Sequence, residues 1–307
     1  MTAGPWWSVL VAAGVLVGAA LAGAVLAGVL DPAGGATVAH RAGRPLWEAG
    51  RLLRQRRRRI VAADLLLWRL GLAGPLVVAL LMVVVVPLGD RAVADLPVGV
   101  VWFNAMDVLL WAAVWLAGWG ANSGYGLVGG YRFLAQGLGY ELPLMFALTA
   151  PAVAAGSLRV ADVVAAQRSL WFVASMPVAF LVLLGAVLAF SMSGPFAYPD
   201  GRDLAGGVLA EPSGVDRLVL QAGRYALLAA GAAMAVALFL GGGAGPLLPG
   251  WLWSMVKTLA VLAALVALRG RIPVLRADRL MRLAWLVVLP ATLLQVLVVA
   301  VLAVEGH

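Results

Sequence analysis

AGWGANSGYGLVGGYRFLAQGLGYE, residues Ala117–Glu141, interrupts a run of alanine, valine and leucine with glycines and polar groups. Asn122, Tyr125, Arg132, Gln136, Tyr140 and Glu141 fall inside it, and apolar sequence flanks it on both sides. A soluble domain would have to bury those flanks. This chain of 307 residues is 64% hydrophobic and 12% charged, with a mean hydropathy of +1.00, and has too little polar surface to cover them. It reads as an all-α integral membrane protein. Long continuous apolar runs favour helices over a barrel, because each helix satisfies its own backbone in lipid.

Working outward, eight spans are predicted over 6–30, 65–87, 98–119, 138–156, 170–191, 224–240, 248–268 and 283–304. Each approaches the roughly 20 residues that cross a hydrocarbon core. The first has no basic stretch before it and reads as a retained helix rather than a signal peptide. Arginine orients the bundle. The first connection carries eight arginines and the seventh five, and Arg132, Arg202 and Arg217 lie in the third and fifth, against Arg91, Arg159 and Arg168 in the even connections. The odd connections are therefore expected in the cytoplasm and both termini outside. Trp6, Trp7, Trp102, Trp119, Trp171, Trp251, Trp253 and Trp285 near span ends agree with an interfacial aromatic belt. A single polytopic domain over 1–307 is expected. Its basic cytoplasmic loop, 31–64, reads either as carrying an interfacial helix in PLWEAGRLLRQRRRR or as a plain positive anchor, and 192–223 is the longest polar loop.

The absence of cysteine excludes disulfides and cysteine-ligated metal, and two histidines, His40 and His307, leave no basis for a metal site. The net charge of +8 encodes topology and lipid contact rather than nucleic-acid binding. GGGAG at 241–245 lacks the lysine and hydroxyl residue of a phosphate loop and reads as a tight outer turn. What remains is charge within apolar sequence: Asp107, Glu141 and Lys257. For Asp107 and Lys257, an ion pair between helices and a functional intramembrane charge weigh equally. Glu141 carries more weight, because Arg132, Gln136 and Tyr140 recur every four residues as a polar stripe and Glu141 lies one residue off it. Burial opposes its charge and a nearby arginine favours it; a carboxyl balanced between the two can take up and release a proton. Asp200, Asp203 and Glu211, with Glu141 and Asp278, read either as an acidic entrance or as solvated loop charges, the latter being the plainer account.

At these residues the chain resembles a family, subunit 1 of complex I, the H-type membrane subunit of NADH–quinone oxidoreductases, shared with group 4 hydrogenases. Gly118, Trp119, Asn122, Tyr125, Leu127, Gly129, Arg132, Ala135, Gln136, Tyr140 and Glu141 match its third-loop pattern in order. GPLLPGWLWSMVKT and RIPVLRADRLMRLAWLVVLP resemble its motifs around the last two spans. The resemblance implies eight spans and a place in the plasma (inner) membrane. It also implies a role in shaping a quinone chamber and coupling electron transfer to proton movement. Glu141 would be the carboxylate of the fourth span, Arg132 and Gln136 polar residues of the third loop, and Asp278 the aspartate of the last loop. The chain itself would bind no cofactor. Quinone would be the substrate, and iron–sulfur clusters would sit on soluble partners docked at the cytoplasmic loops, beside neighbouring membrane subunits and lipid.

The chain also departs from the family. Ser193 and Ala197 stand where it has arginine and aspartate, Arg224 where it has glutamate, and Leu286 where it has lysine. Arginine stays protonated and cannot relay a proton. The expectation is a divergent coupling subunit of a complex I-like translocase. The alternatives are a subunit of a hydrogenase-type complex, an assembly scaffold without coupling, or an independent secondary transporter.

Overall fold

The computed structural model describes residues 2–31, 37–58 and 60–305. Residues 32–36 and Arg59 of the basic loop, and His307, lie outside the described residues. Among the described residues, seven helices are long and apolar enough to cross a membrane. They are α1 (Ser8–Leu30), α3 (Leu65–Val83), α4 (Gly99–Gly120), α5 (Gly124–Ala155), α9 (Gly214–Phe239), α10 (Gly250–Arg269) and the composite last helix, Ala277–Val304. An amphipathic helix, α2 (Val38–Arg54), follows α1, and a short helix, α6 (Val160–Ala166), follows α5.

The predicted span 170–191 is not one helix. It divides into α7 (Phe172–Ser175) and the shorter apolar α8 (Pro177–Phe190). Met176 between them leaves the helical region, with φ −130° and ψ 52°. Pro177 explains the break, since the ring of a proline crowds the preceding residue out of the α region. The last helix is composite as well: α11 (Ala277–Leu283), a π turn at Ala284–Val288 and α12 (Leu289–Glu305). The π turn ends two residues before Pro290, which has no N–H to give to the carbonyl four residues back, that of Leu286.

The largest revision concerns the glycine-rich stretch. It is not a loop: α5 starts at Gly124 and runs for 32 residues, about 48 Å at 1.5 Å per residue, well beyond a hydrocarbon core of about 30 Å. Its glycines serve close packing. A Cβ on Gly129 would lie 2.6 Å from the Pro199 carbonyl oxygen, and one on Gly137 would lie 2.5 Å from the Trp111 ring. The fifth connection is correspondingly shorter than predicted. It is a chain of 3₁₀ turns between Gly194 and Leu209, and Arg217 and Arg224 belong to α9.

Helix α9 is the packing axis, with Ala226, Leu227, Leu228, Ala229, Ala230 and Gly231 all buried in succession. Small side chains let backbones approach, the main source of helix association where lipid removes the hydrophobic drive. Gly223 abuts Pro75 and Leu76 of α3. Helix α1 and the last helix are peripheral, with most of their apolar surface exposed.

Connections segregate by end. At one end β1 (Thr2–Ala3) pairs in parallel with β2 (Arg91–Ala92), Arg159 bridges Asp95 at 2.8 Å, and Gly89 N–H donates to Ser254 Oγ at 3.1 Å. At the other, Arg58 meets Glu211, Ser123 meets Glu211, Arg132 meets Asp203, and Leu275 N–H donates to the Pro195 carbonyl. The odd connections thus gather at one end and the even ones at the other.

Candidate functional site

Asn104, Asp107 and Trp111 recur at i, i+3 and i+7 on α4, and so share the face that meets α5. Tyr140 donates its hydroxyl hydrogen to Asp107 Oδ1 at 3.2 Å and accepts from Trp111 Nε1 at 3.3 Å. Asn104 Nδ2 donates to Glu141 Oε1 at 2.9 Å. Asp107 is 0% exposed, and the Glu141 carboxyl comes within direct interaction range of it. Asp107 Oδ2 and Glu141 Oε2 are both buried without a hydrogen-bond partner among the described residues. Among those residues, no arginine or lysine bonds to either carboxyl. Carboxylate oxygens only accept, so two facing carboxylates cannot satisfy one another; a proton on either turns it into a donor to the other. Asp107 and Glu141, read separately in the sequence, therefore form one site. Asn104 and Trp111 escaped sequence reading, although their spacing with Asp107 was available.

The other acids singled out in the sequence have cations. Arg132, on α5, forks onto Asp203 at 3.1 and 2.6 Å and stacks its guanidinium 3.9 Å above the Tyr198 ring. The hydrogen bond from Arg132 holds the Asp203 carboxyl below the usual aspartate range. Arg224, on α9, bonds Asp200 Oδ2 at 2.7 Å and also donates to the carbonyls of Ser191 and Met192. Glu211 accepts from Ser123 Oγ and Arg58. Gln136 donates to the Ala189 carbonyl at 2.8 Å, at the end of α8. Asp278 is exposed, 3.6 Å from Arg276 and 3.7 Å from Arg282. These acids therefore differ from Glu141 in having an arginine partner. Each is held by an arginine, those of the fifth connection by arginines from three separate parts of the chain.

Among the described residues Lys257 has no carboxylate partner, so the expected interhelical ion pair is not formed there. Its ammonium donates to the carbonyls of Leu240 at 2.7 Å, Gly242 at 3.1 Å and Ala244 at 2.6 Å, and lies 4.1 Å from the Trp171 ring centroid. The GGGAG stretch is a turn wrapped on this ammonium, and Gly241 and Gly242 supply its positive φ values of 67° and 51°.

These features define a class: a multi-pass helical membrane protein with a cation-free carboxyl pair in its interior and an arginine-braced connection at one end. A sequence model of the NADH dehydrogenase family matches residues 15–300, nearly the whole chain. The chain is 38% identical over 265 residues to the second H-type subunit of the NADH-quinone oxidoreductase of Geobacter sulfurreducens, covering 83% of this chain and 80% of that protein. It is 40% identical over 215 residues to the corresponding second H-type protein of Cereibacter sphaeroides, covering 69% and 67%. It is 35% identical over 246 residues to the H-type protein of Geobacillus kaustophilus, covering 78% and 74%. The chain belongs to this family of oxidoreductase membrane subunits, those of complex I.

Proposed function

We propose that the protein is the coupling subunit of a complex I-like quinone oxidoreductase, and that the Asp107–Tyr140–Glu141 cluster receives and passes on protons inside the membrane. The observation that carries this reading is the pair of facing carboxyls with orphan oxygens and no cation among the described residues. An ion pair built for stability would hold its acid in one charge state. A cation-free pair has no fixed charge to hold it, and a proton on either carboxyl lets it donate to the other.

In this reading, the short α8 makes an eighth crossing beside the seven long helices, and the arginine-rich odd connections lie in the cytoplasm of a cell bounded by its plasma membrane. Soluble iron–sulfur partners dock there, and further membrane subunits pack against the exposed apolar helices. The connection 191–213, fixed by Arg132 and Arg224, forms part of the quinone chamber's wall, and Glu211 and Gln136 hold its neighbours in register. Electrons reaching quinone change the charge near this wall, and the Asp107–Glu141 pair answers by proton exchange. The test is Glu141→Gln in membrane vesicles. Quinone reduction and proton uptake are expected to fall together. Normal rates of both would refute the relay.

A further inference from the structure

A groove of about 990 Å³ lies between α1, α9, α10 and the segment 83–93, at the end of the bundle that carries the N-terminus. It is separate from the carboxyl pair and from the arginine-braced connection. We propose that it is a binding site for a single phospholipid whose headgroup carries both a phosphate and an ammonium, as phosphatidylethanolamine does.

Three observations converge. The first is depth. Trp7 and Trp251 line the groove and are 47% and 50% exposed, which sets its mouth at the membrane interface. The lining then descends along α1 from Ser8 to Ala22, about 20 Å of helix, against about 15 Å for one leaflet of hydrocarbon. Its walls are almost wholly apolar, as for Val11, Val15 and Met255. They fit an acyl chain and exclude a polar solute.

The second is charge. Asp90 and Arg91 both line the mouth and are exposed. Among the described residues, neither side chain has a hydrogen bond or an ion pair, including with the other. Adjacent opposite charges complement a zwitterionic headgroup: the guanidinium takes the phosphate and the carboxylate takes the ammonium. A purely anionic headgroup would meet Asp90 unfavourably. The mouth is also held in shape, because Gly89 N–H donates to Ser254 Oγ at 3.1 Å and β1 pins the N-terminal segment to β2.

The third is space. Gly14 and Gly18 line the groove, and a Cβ added to either meets nothing within 4 Å. These glycines pack against no other helix among the described residues. They open volume into the groove, and a side chain added at either position starts in that open space.

The test uses the intact complex in vesicles with phospholipid probes bearing a photoreactive acyl chain, and mass spectrometry of the labelled peptides. The phosphatidylethanolamine probe should label residues 8–22 and 251–259. Gly14→Leu with Gly18→Leu should lower that labelling about tenfold, while complex assembly is retained. Asp90→Asn with Arg91→Gln, changes at exposed positions that spare the fold, should remove the preference over a phosphatidylglycerol probe. Unchanged labelling in the leucine variant overturns the site. Equal labelling of the unsubstituted complex by both headgroups overturns the headgroup assignment. Displacement of the probe by excess quinone would make the groove a quinone site instead.

Discussion

Two sets of carboxylates lie in this molecule, and their difference separates chemistry from architecture. Asp107 and Glu141, between α4 and α5, have an amide, a phenol and one another but, among the described residues, no cation. Asp200, Asp203 and Glu211 each meet an arginine from another part of the chain. An acid beside a fixed guanidinium ties two segments together. An acid beside another acid is free to change its proton content. The polar stretch that contains Arg132, Gln136, Tyr140 and Glu141 contributes to both sets: Arg132 and Gln136 brace, whereas Tyr140 and Glu141 belong to the cluster without a cation.

The sharpest way to break this comparison is Asp107→Asn. The amide keeps size and hydrogen bonding but carries no exchangeable carboxyl proton. Coupled quinone reduction should fall about 100-fold, the range of lost acid–base function, with an unchanged melting temperature. A large loss of stability with activity retained would place Asp107 among the architectural acids.

Arg224→Ala tests the other side. Arg224 and Asp200 have only 17% and 12% exposed side chains, and Asp200 Oδ1 already lacks a partner. Removing the cation leaves a nearly buried carboxylate and frees two carbonyls. The expected cost is about 3 kcal/mol, seen as a lower melting temperature and faster proteolysis in 191–213. Arg224→Lys should recover part of it, since an ammonium reaches Asp200 without the fork onto the carbonyls.

The helices were largely legible in the sequence because apolar length is a direct physical signal; seven spans and the separation of odd from even connections follow from it. The errors fall where local chemistry has more than one use. Glycine marks loops, yet in α5 it permits contact with Pro199 and Trp111, so a helix of 32 residues read as a loop and a short span. Pro177 was visible, but its break at Met176 was hidden by the apolar run around it. At the site, residue types were legible and pairings were not. Nothing in a linear chain links Arg224 to Asp200, or Lys257 to three carbonyls of its preceding turn.

Lys257 extends the comparison to a cation held by carbonyls instead of an acid. Lys257→Met keeps the length of the side chain and its contact with Trp171 but removes all three donors. A loss of about 2 kcal/mol is expected, smaller than for Arg224 because the freed carbonyls at a turn can turn toward water. Quinone reduction measured below the melting transition should be unaffected. A selective loss of activity would give this ammonium a functional role.

The smallest effect belongs to Asp203. Its side chain is 59% exposed, so its pair with Arg132 is screened by water and salt. Arg132 stays protonated at all accessible pH, and its hydrogen bond depresses the folded-state value of Asp203 below that of the unfolded chain, about 3.9. The contribution is therefore present in full above the unfolded value and lost as pH falls through the folded one. Melting temperatures of the unsubstituted protein and Asp203→Asn should differ slightly at neutral pH and converge below about pH 4. High salt should shrink the gap at neutral pH. Arg132 would still stack on Tyr198 and bond its carbonyl, so the connection should remain closed even when Asp203 is protonated. A gap that widened in acid would mean that Arg132 and Asp203 do not brace the connection as a pair.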